Sequence, residues 1–191
     1  MLKVCKFGGS SVAGAEQFRK VRDIVLSDDS RRVVVISAAG KRTSDDHKLT
    51  DLLYLCHAHL TYGVSCADIL AAIRSRFVSI RDELGLSYRV EDEFDAYAAT
   101  LSRDTSVDEL VSRGEYFTAR LMAETLGYAF VDAADCVFFG FDGQFDRART
   151  DAAIATALEK NGKIVLPGFY GRVPTGKIKV MTVSYTHLTL P

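Results

Sequence analysis

The chain lacks any excess of charge that would gather a polyanion. Its 191 residues carry 24 Lys plus Arg against 25 Asp plus Glu, a formal net charge of −1. Without a field of one sign, neither nucleic acid nor an anionic membrane is an expected partner, which leaves small molecules and protein subunits. Long apolar runs are missing too: the longest, VVVISAAG from Val33, falls far short of the roughly 20 residues a membrane-spanning helix requires. Met1 passes straight into LKVCKF with no basic leader, apolar core or cleavage site, so no secretion signal is expected and a cytoplasmic setting is. Cys5, Cys56, Cys66 and Cys136 form no CxxC pair and have no histidine at finger spacing. That argues against a zinc site or a disulfide framework and for reduced core thiols. No internal repeat, low-complexity block or flexible linker interrupts the chain before residue 182, and its length suits one domain with its own core.

What is present is an alternation of strand and helix patterns. Leu2 to Phe7 and Arg32 to Ala38 read as short buried strands, the second continuously apolar and rich in β-branched residues, as in a sheet covered on both faces. Between them Phe18, Val21 and Val25 mark an amphipathic helix. After the polar loop 39–48, Leu49 to Leu60 reads as a helix with Leu52, Leu53 and Leu55 on its buried side. Cys66 to Leu84 and Glu91 to Leu101 are helical without strands, which predicts a helical insertion around 64–105. Val107 to Leu126 repeats apolar residues at threes and fours, and Gly127 closes it as a C-cap. Strands are predicted at Ala129 to Val131, Cys136 to Phe139 and Lys163 to Leu166, a helix at Thr150 to Lys160, and a hairpin from Tyr170 to Thr182 around Pro174 and Gly176. The alternation predicts an α/β fold: a three-layer αβα sandwich with a mostly parallel sheet.

The most informative segment is Lys6-Phe7-Gly8-Gly9-Ser10-Ser11-Val12. Two glycines at the carboxyl end of a strand let the backbone approach an anion and offer it N–H donors, and Lys6 adds a positive charge beside them. Phosphoryl transfer depends on such positioning and charge stabilisation. The plainer alternative is a tight turn with Ser10 or Ser11 as a helix N-cap and a solvated Lys6. The spacing fits neither GxxxxGK[ST] nor GxGxxG.

KFGGSSV at the start of a chain resembles the opening motif of aspartate kinases within the amino-acid kinase superfamily. Three further segments resemble that family in order and spacing: VVVISAAGKRTSDDHKLTDLL from Val33, VSRGEYFTARLMAETLG from Val111 and VLPGFYGRVPTGKIKVMT from Val165. The resemblance covers residues 2–182 and implies a domain whose amino-terminal half holds the amino acid and the glycine loop. It implies transfer of the γ-phosphoryl group of ATP to the side-chain carboxylate of L-aspartate, with Mg²⁺ bridging phosphate oxygens and a homo-oligomer at full length. By motif, Lys6 (as the catalytic cation), Phe7, Gly8, Gly9 and Ser10 would face the phosphates. Ser37, Thr50, Glu115 and Phe169 would hold the substrate, Glu115 through its α-ammonium group. Each of the last three has a plainer reading: Thr50 as a helix cap, Glu115 as a solvated helix residue paired with Arg113 or Arg120, Phe169 as a core aromatic. The substrate carboxylate, with an ordinary pKa near 4, is ionised at neutral pH and needs no general base, so His47, His57, His59 and His187 are assigned no catalytic role.

The family pattern continues with an Arg-Gly-Gly-Ser-Asp loop where this chain reads VSYTHLTLP. Val183 to Pro191 back-translates to GTC TCT TAT ACA CAT CTG ACG CTG CC, which resembles a transposon-end sequencing adapter. A domain is therefore expected over 1–182 with a non-native tail at 183–191, as resequencing of the locus would show, and these residues alone are expected to be inactive. The alternatives are a sister kinase acting on glutamate, acetylglutamate, carbamate or a nucleoside monophosphate, and a silent module that binds aspartate or ATP for regulation.

Overall fold

The computed structural model describes residues 1–181; the predicted tail, and Thr182 before it, lie outside the described residues. Strand β1 (Lys3–Phe7) runs into a 3₁₀ turn (Gly9–Val12) and helix α1 (Ala15–Leu26), and β2 (Arg31–Ile36) follows. Helices α2 (Leu49–Tyr62), α3 (Ala67–Leu84), α4 (Val90–Ala98) and α5 (Val107–Leu126) come next without an intervening strand, so the helical insertion stands where the sequence places it. The chain then alternates through β3 (Ala129–Phe130), α6 (Ala133–Cys136), α7 (Arg147–Asn161), β4 (Ile164–Pro167), β5 (Tyr170–Arg172) and β6 (Ile178–Val180).

Four strands form a parallel sheet in the order β1-β2-β4-β3, and β5 and β6 form the predicted antiparallel hairpin. Strand residues alternate between two cores, which is why β2 and β4 are apolar throughout. Val34, Ile36 and Val165 enter the core shared with α1 and α5, while Val33, Ile164 and Leu166 enter the one shared with α6 and α7. Helices thus cover both faces, giving three layers. The helical insertion stacks outside the first helical layer, with α2 and α3 against α5 and α3 also against α1. Among the described residues no helix is long and apolar enough to cross a membrane.

Two local expectations fail. Cys136 to Phe139 is not a strand: Asp132 caps a short helix, its Oδ1 accepting the Ala134 N–H at 2.9 Å, and Cys136 ends that helix. Phe138 and Phe139 make isolated bridges to Arg172 and Phe145. Leu55 is 47 % exposed, because it lies about 200° around α2 from the buried Leu53 at 3.6 residues per turn. The buried stripe is instead Leu49, Leu53 and Cys56. All four cysteines are unpaired.

Helix α5 is the spine. Ser106 Oγ accepts the Glu109 N–H at 3.2 Å to start it, and Gly127 ends it at φ +67°. The insertion is locked to this helix through three aromatic rings: Phe117 lies 5.3 Å from Phe77 and 5.4 Å from Phe94, centroid to centroid. Such packed rings add to the area they bury. Phe117→Ala is expected to cost about 3–5 kcal/mol of folding stability, read as a shift in the urea midpoint. A cost near zero would show that the insertion is not anchored there.

Candidate active site

Strands β1, β2 and β4 end side by side at Phe7, Ile36 and Pro167. The segments that leave them, together with Lys6, Lys48, Thr50, Glu115 and Met181, line a pocket of about 890 Å³ at the carboxyl edge of the sheet. This edge is where open parallel sheets bind ligands, because the strand-to-helix connections diverge there. Lys6, Gly8, Gly9, Ser10, Ser37, Thr50, Glu115 and Phe169 all line it. Phe7 is the one candidate that does not; its side chain packs into the first core.

The glycine loop owes its shape to backbone contact. Gly8 is extended, and the turn that follows closes with the Ser11 N–H on Gly8 O at 2.9 Å. No serine side chain caps this turn, and α1 begins later with Gly14 at its N-cap position, so the reading of Ser10 or Ser11 as a cap is not realised. Gly40 N–H donates to Gly9 O at 2.8 Å. A Cβ on Gly40 would sit 2.6 Å from the Gly9 carbonyl carbon, and one on Gly9 would sit 2.8 Å from Ala38 O. Only glycine at both positions lets the two loops touch. Lys6 stands beside this contact, on the exposed side of β1.

Glu115 faces the loop from α5. Its neighbour Gly114 makes the approach possible, since a Cβ there would come 2.9 Å from Ala38 Cβ. The Glu115 carboxylate is 4 % exposed and its Oε2 has no hydrogen-bond partner. Burial pushes its pKa up to about 7, against the opposing pull of the Ala38 N–H and the positive charge of Lys6. It is therefore not a solvated helix residue. Arg113 stacks on the Tyr116 ring at 4.7 Å and Arg120 pairs with Glu93 at 3.1 Å, so neither is the partner of Glu115.

Thr50 is the second residue of α2, whose N-cap is Lys48 without a side-chain cap bond, so Thr50 does not cap the helix. Ser37, on the pocket wall, donates its N–H to Phe7 O at 3.1 Å. Phe169 packs partly against the first core but has φ +74°, in the left-handed region that a bulky residue enters at a cost of about 1–2 kcal/mol. Strain of that kind gathers at ligand sites. Ala38, Ala39, Gly40, Lys41, Lys48 and Met181 also line the pocket, beyond the residues that the motifs mark. Among them only Gly40 carries a signal in the sequence: a glycine just beyond a buried parallel strand, like Gly8 and Gly9.

The pocket wall combines two chemistries: backbone N–H groups and lysine, suited to an anion, and a buried carboxylate with one unpaired oxygen, suited to an amine. Among the described residues no group of three His, Cys, Asp or Glu could hold a metal ion, and Glu115 is the one carboxylate on the pocket wall. The raised pKa has a consequence for folding. Unfolded, Glu115 ionises near 4.5; folded, near 7, so the folded state binds the extra proton between those values. Stability contributed by this group is full below pH 4.5 and falls as pH rises to about 7, by at most about 1.4 kcal/mol per pH unit. Glu115→Gln is expected to remove that fall in urea titrations across the interval; an identical pH profile would mean that the carboxylate is not the group responsible.

Residues 1–185 match the amino acid kinase family. The chain is 30 % identical over 202 residues to Aspartokinase 3 of Bacillus subtilis (strain 168), covering 98 % of this chain and 44 % of that protein. The crystal structure of Clostridium acetobutylicum aspartate kinase superposes with a TM-score of 0.90 at 38 % identity, over 94 % of this chain and 42 % of that one. E. coli aspartokinase III, solved in complex with aspartate and ADP, gives 0.75 at 26 % identity over 94 % of this chain and 43 % of that one. The chain thus spans less than half the length of these relatives. With its glycine loop, its parallel sheet and this match over nearly all its length, the chain belongs to the amino acid kinase family.

Proposed function

We propose that this chain supplies the phosphate cradle and the amino-acid pocket of an aspartate kinase, which makes 4-phospho-L-aspartate from ATP and L-aspartate. The product opens the biosynthesis of lysine, threonine and methionine. The observation that carries the reading is Glu115: a buried carboxylate with an unpaired oxygen, set in the same pocket as Lys6 and the Gly8–Gly9 backbone. An α-ammonium group satisfies that oxygen and favours the ionised carboxylate, while the substrate's side-chain carboxylate is left to reach the glycine loop. The relatives support the substrates, one of them having been solved with aspartate and ADP.

The chemistry follows from charge. The attacking carboxylate is already ionised at neutral pH, so the work is to bring two anions together and to stabilise the oxygens of the transferring group. Lys6 and the N–H groups of the loop do this from one side, with Thr50, Ser37 and Phe169 shaping the substrate's side. The described residues offer no metal cage. Magnesium would arrive with the nucleotide and would neutralise part of the charge on its phosphates. Four unpaired cysteines support a reducing, cytoplasmic setting, and a homo-oligomer at full length remains part of this proposal.

In the full-length gene product, aspartate and ATP are expected to yield an acyl phosphate trapped by hydroxylamine. Lys6→Ala should lower kcat by about 100-fold or more, the usual scale for losing one donor to transition-state charge; unchanged turnover would remove Lys6 from the mechanism. Glu115→Ala should raise KM for aspartate and leave that for ATP alone. A change falling on ATP instead would place Glu115 on the wrong ligand.

A further inference from the structure

The helical insertion sends one charged side chain into the fold. Arg76 is on α3, on the same stripe as the buried Ile73, Phe77 and Ile80, and is 3 % exposed. Packing alone would be served by an apolar residue there, since a buried guanidinium loses its hydration and here leaves Nε without a partner. What the guanidinium grips accounts for it. Nη2 donates to Gly40 O, Nη1 donates to His47 O at 2.6 Å, and Nη2 pairs with the Asp46 carboxylate at 3.1 Å. Asp46 in turn accepts the backbone N–H and the Nε–H of Arg42, both at 2.9 Å. One side chain thus holds both ends of the loop 40–48.

That loop forms one wall of the pocket, through Gly40, Lys41 and Lys48. Gly40 is the residue whose N–H bonds to Gly9 O. A single peptide chain therefore runs from the arginine to the phosphate cradle: Arg76 holds the Gly40 carbonyl, and the Gly40 amide holds Gly9. We infer that Arg76 is a positioning residue, which sets the Gly40–Gly9 contact and the lysines of loop 40–48 for the nucleotide's phosphates. This deepens the aspartate kinase reading and rests on it for the identity of the anion. Glu115, the carboxylate read as holding the substrate amine, stands on α5, outside the loop that Arg76 grips, so the larger effect of Arg76 is expected on ATP.

The test uses Arg76→Met in the full-length gene product. Misplacing the cradle by about 1 Å should cut kcat/KM for ATP about 100-fold, with a smaller effect on aspartate. Trypsin should cut faster after Lys41, Arg42 or Lys48, at sites that Arg76 holds in place in the wild type. A folded variant with wild-type ATP kinetics, with an equal loss on aspartate, or with unaltered cleavage overturns the proposal. If Arg76→Met does not fold, Asp46→Asn decides: it removes the ion pair on the loop side, and should move ATP kinetics and cleavage the same way by a smaller factor, whereas no movement in either sinks the idea. Wild-type protein that makes no acyl phosphate defeats the kinase reading instead, and the cleavage comparison then still judges Arg76.

Discussion

The contact on which the site depends is between two backbones. Gly9 and Gly40 approach so closely that neither position has room for a Cβ. That approach joins the turn after β1 to the loop after β2, and it does so at the edge of the sheet where both strands end. Parallel pairing of β1 and β2 sets the two exits side by side, with Phe7 opposite Ile36. The sheet fixes the distance and the glycines allow it to close. A side chain at either position would force the loops apart and move Lys6, Ser10 and Lys41 relative to one another, although all the strands could still form.

Around that contact the protein carries features that oppose its own stability. Glu115 is buried with one oxygen unpaired, Phe169 has a left-handed backbone, and Arg76 is a guanidinium inside an apolar stripe. Each costs of the order of a kilocalorie or more by itself. All three touch the pocket or a loop that lines it. The core elsewhere shows the opposite character: Phe18, Phe77, Phe117, Leu121 and Met122 are buried apolar groups without any polar liability. Stability is supplied by the two cores and spent at the carboxyl edge, the pattern expected where binding energy must be drawn from a ligand that completes the site.

Much of this was legible in the residues. The limits of α5 follow from its period and from Gly127, since apolar repeats and a C-cap glycine are local signals. The strands of the sheet were legible because β2 and β4 are apolar on both faces. Cys136 to Phe139 has a β-like composition, but Asp132, whose side chain caps the turn before it, overrides that preference. Leu55 stands beside Leu52 and Leu53 in sequence but not around the helix, where its rotation carries it to solvent. Phe7 shares the motif of its neighbours, but alternation along β1 turns its side chain toward the core and that of Lys6 away from it. Pairings distant in sequence, Gly9 with Gly40 and Arg76 with the loop, leave no local mark, because nothing in a glycine or an arginine names its partner.

The helical insertion shows how such distant pairings are built. By composition α3 and α4 are an appendage: they add no strand, and their aromatic residues pack on α5 from outside the sheet. An appendage held only by Phe77 and Phe94 would stabilise α5 and do nothing for the pocket. Arg76 lies one residue before Phe77 and so points near the same core, yet it is long enough to pass beneath loop 40–48 and end on Gly40 O. Rigid packing of the rings thereby becomes positional accuracy at the carbonyl, since the guanidinium fork fixes direction as well as distance. The same α5 presents Glu115 to the pocket, so one helix, buttressed by the insertion, sets the amino-acid end directly and the phosphate end through its neighbour.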